Sequence, residues 1–182
     1  MTTLKLKKIK EENLQLIMKW RMSPEVTNYM YTNPKLTIES QQLWLASISK
    51  SQDVLYWMIE YDNVPIGVIN ICDIDIVNKK CSWGYYIGDT SFRGKGIATL
   101  LECNMYDYVF YNLGLNKLCS EIFETNDKVV KIHRKFGSEI EGLLREHIIK
   151  GTEKYNVVTM GILKQKWDTS CENFKYEKII IE

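Results

Sequence analysis

The stretch GYYIGDTSFRGKGIATLLECNMYDYVF (84–110) constrains this chain more than any other. An aromatic, β-rich run leads into three small residues, Gly94, Gly96 and Ala98, and these open a strongly apolar helical run. Strand, glycine turn and helix N-terminus together make a phosphate cradle. Small residues let successive backbone N–H groups close on an anion, and the new helix presents its unpaired amides and positive dipole end to it. Two familiar cradles are excluded. The G-x-x-x-x-G-K-[ST] spacing of a nucleotide-triphosphate loop is absent, with Lys95 lying between the glycines. G-K-G-I-A also lacks G-x-G-x-x-G spacing, and no acidic ribose ligand ends a following parallel strand.

The rest of the chain limits what can surround the loop. At 182 residues it suits one domain with a full core. A net charge of +1 gives no broad field for nucleic acid or an anionic membrane. Five scattered cysteines never form a C-x-x-C pair, which argues against a disulfide framework or zinc site and for a reducing cytoplasm. With only His133 and His147, no histidine-rich metal centre is expected. The first twenty residues lack an apolar signal-peptide core, and no run is long and apolar enough to span a bilayer.

Periodicity predicts a strand at 3–9, then a helix carrying Leu14, Ile17 and Met18. Ser23-Pro24-Glu25 reads as a helix start with Ser23 as its cap, and a further helix runs from Thr37 to about Lys50. A hairpin turns at Asp62-Asn63, and 81–88 forms a third strand of that group. The post-glycine helix places Leu100, Leu101, Met105 and Val109 on one face and ends at Gly114. A strand at 116–124, a short helix from Asn126 to Gly137, and a closing hairpin around Lys150-Gly151 complete the order. The expectation is a single α/β or α+β domain with a mixed sheet.

Arg93-Gly94-Lys95-Gly96-Ile97-Ala98 fits R-x-x-G-x-A, and here the chain resembles the GNAT superfamily of acetyl-CoA-dependent N-acetyltransferases, whose signature is [Q/R]-x-x-G-x-[G/A]. The element order follows the family fold over 3–167. Asn126, Gly137 and Glu141-Gly142 match its second landmark, with His133 where the family often has tyrosine and Ser138 replacing an aromatic. The resemblance implies a mixed, mostly antiparallel sheet of about seven strands flanked by helices, over a domain of 1–167 with 168–182 as an extension. It further implies acetyl-CoA as cosubstrate and no metal. Arg93, Gly94, Lys95, Gly96, Ile97 and Ala98 then hold the pyrophosphate, Tyr86, Ile87 and Gly88 the pantetheine arm, and Asn126 approaches the cofactor.

Acetyl transfer from a thioester to an amine needs a base for the amine proton, a donor for the oxyanion and an acid for the departing thiolate. No covalent acyl-enzyme is required. Glu121 is the candidate base: it alternates with Cys119 and Phe123 on one strand face, odd company for a carboxylate unless that face lines a cleft and half-buries it. Glu124 and Asp73 are its rivals. His133 is the candidate acid, by its alignment with the family tyrosine; from spacing alone, with Val129, Ile132 and Phe136, it reads equally as a hydrogen-bonded core histidine.

For the acceptor, MKWRMSPEVTNYMYTNPKLT (18–37) gathers Trp20, Arg21, Tyr29, Met30 and Tyr31, side chains able to sandwich a nucleobase and hold phosphate, or to form a helix–helix corner. This segment resembles W-R-N-x-P-x-[VI]-x-x-[FY]-M-[YFK], with Met22 replacing the asparagine. That pattern marks a GNAT branch acetylating the 4-amino group of UDP-4-amino-4,6-dideoxy-N-acetyl-β-L-altrosamine in pseudaminic acid biosynthesis. The resemblance implies a UDP-amino sugar acceptor, with ribosomal-protein N-termini, polyamines, or a non-catalytic acyl-CoA sensor as alternatives. Nucleic acid and membrane are not expected partners. In the tail, KIIIE reads either as an edge strand, within the chain or across a homodimer, or as a locally packed end.

Overall fold

The computed structural model describes residues 3–182. The fold is α/β with an eight-stranded mixed sheet. The strands are β1 (Leu4–Lys8), β2 (Leu55–Tyr61), β3 (Val64–Asp75), β4 (Lys80–Ile87), β5 (Lys117–Phe123), β6 (Glu139–Lys150), β7 (Glu153–Leu163) and β8 (Ile180–Ile181). The helices are α1 (Leu14–Arg21), α2 (Pro24–Thr27), α3 (Ile38–Ile48), α4 (Ile97–Asp107), α5 (Asp127–Lys135) and α6 (Lys164–Ser170). Strands follow the order β6-β7-β5-β4-β3-β2-β1-β8. The chain divides into two compact units, and each has its own core.

The first unit holds the described residues up to Cys72, with Gly84–Ile97 and Ile179–Glu182. β1 and β2 pair antiparallel, as do β2 and β3. The predicted hairpin is present: Asp62 and Asn63 take φ of 50° and 62°, the left-handed pair that suits the twist of a two-residue loop. Leu6, Leu14, Met58, Ile59, Ile66, Ile69 and Ile71 are fully buried. Thr37 caps α3, its hydroxyl accepting from the Ser40 amide at 3.2 Å. Ser23 precedes α2 but makes no side-chain cap; its hydroxyl instead donates to the Trp20 carbonyl at 2.9 Å, so it ties the end of α1.

The second unit holds Asp73–Trp83 and Ala98–Lys178. β4 and β5 pair in parallel over Lys80–Ser82 and Lys117–Cys119, whereas β5–β7 and β6–β7 are antiparallel. From Ala98 onward α4 is buried almost all round rather than on one face: Leu101, Glu102, Cys103, Met105 and Tyr106 are all 0 % exposed. It widens into one π-turn over Tyr108–Asn112, where the Leu113 amide reaches the Tyr108 carbonyl at 2.9 Å, and Gly114 at φ 67° ends it as predicted. Phe136, 1 % exposed, lies 5.0 Å from the Phe174 ring, and Ser138 beside it is also buried.

The tail adds α6, which periodicity did not suggest, and β8, one of the two readings of KIIIE. Trp167 is fully buried, donates from Nε1 to Asp107 at 3.0 Å, and packs on the Tyr106 and Phe174 rings at 5.2 and 5.8 Å. Asp107 also accepts from Tyr176 and Lys178. In the first unit, β8 pairs in parallel with β1 of the same chain, Lys5 opposite Ile180 and Leu6 opposite Ile181. The eighth strand therefore comes from KIIIE as an edge strand within the chain.

Candidate active site

In the first unit the end of β4 is shaped by close backbone approach. A Cβ on Gly67 of β3 would lie 2.1 Å from the Tyr86 carbonyl oxygen, so only glycine fits opposite that bond. The amides of Gly88 and Asp89 both donate to the Ile66 carbonyl, at 2.8 and 3.1 Å. A Cβ on Gly88 would meet the Trp20 ring at 2.2 Å. Trp20, 7 % exposed, is thus the packed floor under the strand end and a member of the core with Ile17, Val26, Met58 and Val68.

After β4 the Asp89 carboxylate accepts from the Ser91 amide at 3.0 Å and the Ser91 hydroxyl at 2.7 Å, closing a short turn. These bonds hold the Asp89 carboxyl below the usual aspartate range. Arg93 Nη2 donates to the carbonyls of Ile87 and Glu25, at 3.0 and 3.1 Å, and braces the loop to the end of β4 and to α2. Lys95 lies over the Phe92 ring, 4.5 Å from its centroid. Gly94 and Gly96 take φ of 82° and 76°, and a Cβ at either would find no atom within 4 Å. Open space above two left-handed glycines is the form an anion-binding backbone turn takes.

The acceptor segment belongs to the same unit. Arg21 is half-buried and donates from Nη2 to the Thr32 hydroxyl at 2.9 Å. Burial lowers its guanidinium from the ordinary value, opposed by Tyr86 and Tyr56, and arginine stays cationic regardless. Burial likewise pushes the Tyr86 phenol up, so it stays neutral. Met30 packs on the core cluster, and Tyr31 is half-buried. Tyr29 is 52 % exposed.

In the second unit Glu121 of β5 stands opposite Thr159 of β7 and is exposed, not half-buried: its neighbour Phe123 turns into the core and Glu121 does not. Its rival Glu124 is engaged, accepting from the Asn156 amide group at 2.8 Å. Asn126 precedes α5 and makes no side-chain cap. His133 is 4 % exposed, with Nδ1 2.8 Å from Glu102 Oε1. Glu102 was missed in the sequence. Its signal is a carboxylate and a phenol four residues apart, Glu102 and Tyr106, inside an otherwise apolar helix.

Neither Cys103 nor Cys119 is poised as a nucleophile. Burial pushes the Cys103 thiol up to about 12 and raises Cys119 as well, which suits direct transfer over an acyl-cysteine intermediate. Among the described residues no group of three or more His, Cys, Asp or Glu is arranged to hold a metal ion. A surface cavity of about 340 Å³ lined by Gly137, Glu139, Glu141 and Lys166 contains none of the predicted site residues.

Comparison with known proteins fits this arrangement. The acetyltransferase PseH of Campylobacter jejuni is 29% identical over 135 residues, 72% of this chain and 82% of the relative. The spermidine N(1)-acetyltransferase of Escherichia coli is 26% identical over 167 residues, 91% of this chain and 88% of the relative. Among solved structures, the spermidine N-acetyltransferase of Vibrio cholerae in complex with CoA and spermine superposes with a TM-score of 0.85 at 21% identity. That match covers 91% of this chain and 98% of that one. The model of the acetyltransferase (GNAT) domain matches residues 3–139, and the chain belongs to that family of N-acetyltransferases.

Proposed function

We propose that the protein transfers acetyl from acetyl-CoA to the amino group of a UDP-linked 4-amino-4,6-dideoxy sugar. The backbone of Tyr86, Ile87 and Gly88 takes the pantetheine arm, Gly94 to Ala98 takes the pyrophosphate, and Asn126 approaches the cofactor. Lys95 adds charge, while Arg93 braces the loop. Glu121 receives the amine proton, directly or through water; its exposure gives it an exchange route to solvent. The neutral amine attacks the thioester carbon, the oxyanion collapses, and the C–S electron pair leaves on sulfur. His133 protonates that sulfur, and solvent returns the proton from Glu121 to the enzyme's acid. Trp20 supports the acceptor site from below, with Arg21, Tyr29, Met30 and Tyr31 as its contacts.

The observation that carries the acceptor is the charge of residues 18–37. They hold three basic side chains, Lys19, Arg21 and Lys35, against one acidic, Glu25. A diphosphate is attracted there, and a polycation is repelled. A polyamine acceptor is the second reading, favoured by similarity to the spermidine acetyltransferases over the larger share of the chain.

Arg21→Gln tests the first reading. With coenzyme A saturating, UDP binding measured by calorimetry is expected to weaken about tenfold, the worth of one charge-assisted hydrogen bond. Coenzyme affinity stays unchanged. Equal UDP affinity in both proteins, or none in either, contradicts the nucleotide-sugar reading.

A further inference from the structure

In the second unit a buried carboxylate and phenol, Glu102 and Tyr106, stand behind His133, and the acetyl-transfer scheme above does not use either of them. Glu102 on α4 is 0 % exposed, and its two oxygens have different partners. Oε2 accepts from the Tyr106 hydroxyl at 2.7 Å, one helical turn along. Oε1 lies 2.8 Å from His133 Nδ1. Among the described residues neither of these two atoms makes an aligned hydrogen bond, although they are in direct contact. Two lone pairs at 2.8 Å repel unless a proton lies between them, and a small rotation of the ring aligns an Nδ1–H with Oε1.

The rest of the ring is held as firmly. Trp83 of β4 packs against it at 5.3 Å between centroids and also meets the Tyr106 ring at 5.7 Å. The His133 carbonyl accepts from the Phe136 and Ser138 amides, which fixes the end of α5 from which the ring projects. Yet the side chain keeps 6% of its surface exposed. Of its two nitrogens only Nδ1 is both sealed from solvent and without an aligned hydrogen bond. Nδ1 faces the Glu102 carboxylate, and Nε2 is not among the sealed, unpartnered atoms. Burying a carboxylate is costly unless it is paired, and among the described residues the two side-chain groups within reach of Glu102 are the Tyr106 hydroxyl and the His133 ring.

We infer that Glu102 is a positioning residue: it fixes the His133 proton on Nδ1, so that Nε2 is the nitrogen that exchanges protons during acetyl transfer. This rests on the reading of His133 as the acid. In the acid form the ring carries a proton on each nitrogen, and the Glu102 carboxylate balances the imidazolium charge. As the C–S bond breaks, its electron pair goes to sulfur and the Nε2 proton follows. The product is coenzyme A thiol and a neutral imidazole that keeps its Nδ1 proton on Glu102. One proton taken up at Nε2 from solvent restores the acid. Tyr106 orients the carboxylate by occupying Oε2. The tyrosine that the family often carries at this position needs no such partner; the histidine does, because its neutral ring has two tautomers and only one leaves Nε2 ready.

The test combines nitrogen NMR with a double-mutant cycle. In ¹⁵N spectra of the two imidazoles, with His147 assigned by His147→Gln, His133 is expected as the Nδ1–H tautomer when neutral. In Glu102→Gln it reverts toward the ordinary Nε2–H form. Turnover is read with acetyl-CoA and two acceptors, the UDP-4-amino sugar and spermidine. Glu102→Gln is expected to lower kcat about 10- to 100-fold on the acceptor that reacts, with KM for acetyl-CoA held. In a His133→Phe background it lowers kcat no further. Should Glu102→Gln itself lower the melting temperature, Tyr106→Phe removes the Oε2 donor while keeping the ring, and its effect on turnover is likewise expected to vanish beside His133→Phe.

Unchanged kcat in Glu102→Gln, losses that simply add, or a wild-type Nε2–H tautomer overturns the inference while leaving His133 as acid. Wild-type turnover in His133→Phe overturns the acid assignment itself. With neither acceptor turned over, the tautomer decides.

Discussion

Gly96→Val is expected to abolish measurable acetyl-CoA binding while leaving the protein folded. Two independent facts separate those effects. The space around a Cβ at residue 96 is open: apart from its own chain neighbours no protein atom lies within 4 Å, so valine there meets no other part of the chain. What it does fill is the space above the loop amides, where an anion has to sit. Its φ of 76° also strains a β-branched residue, by about 1–2 kcal/mol. That cost lowers the melting temperature by only a few degrees, roughly 2–8 °C for a chain of this size. The binding loss is larger: two charge-assisted amide–phosphate bonds are worth about 3–6 kcal/mol, or about 100-fold and more in Kd. Calorimetric titration with coenzyme A reads one effect and thermal melting the other. Wild-type affinity in Gly96→Val removes the loop from the coenzyme site.

Gly67→Val has the opposite profile, a loss of fold. Its Cβ would lie 2.1 Å from the Tyr86 carbonyl oxygen and 3.1 Å from the Ile87 Cα, both main-chain atoms that no rotamer change can clear. β3 cannot yield on its other side, where Gly67 stands in register with Ile59 of β2, itself fully buried. The end of β4 has to move, and with it the bonds from the Gly88 and Asp89 amides to Ile66. Overpacking of this kind costs about 3 kcal/mol or more. The expected readout is a melting temperature lower by roughly 6–12 °C, with kcat/KM for acetyl-CoA reduced because Tyr86 to Gly88 are displaced. A melting temperature within a degree or two of wild type (roughly the effect of half a kcal/mol) contradicts the close approach.

The fold was largely legible where one local signal decides conformation. Asp62-Asn63 and Lys150-Gly151 mark hairpins because few residues tolerate left-handed φ, and Thr37 marks a helix start because its hydroxyl replaces a missing carbonyl partner. The glycine loop is of the same kind. Ser23 shows the limit: a capping residue in a capping position, whose hydroxyl found the Trp20 carbonyl instead. α6 and the pairing partner of β8 were illegible because what holds them is not local. Trp167 is fixed by Asp107, and Ile180 by Lys5, both far away in sequence.

The candidate site divides along the same line. Its glycine loop is a local motif. Its supporting residues are tertiary: Trp20 reads as a sandwich for a base until Gly88 is seen against its ring. Glu121 reads as half-buried until the strand shows it exposed. Glu102 gives no sign of His133, thirty-one positions on, because only packing brings a buried carboxylate and an imidazole to 2.8 Å.

The central claim is a neutral-amine acetyl transfer onto an anionic nucleotide sugar. Its most direct test incubates the purified protein with acetyl-CoA and, separately, the UDP-4-amino-4,6-dideoxy sugar, spermidine and a ribosomal N-terminal peptide, and reads products by mass spectrometry. The expected result is a mass gain of one acetyl group on the sugar nucleotide, with spermidine and peptide unchanged. Acetylated spermidine with untouched sugar contradicts the claim, and makes the three basic residues of 18–37 something other than an acceptor site.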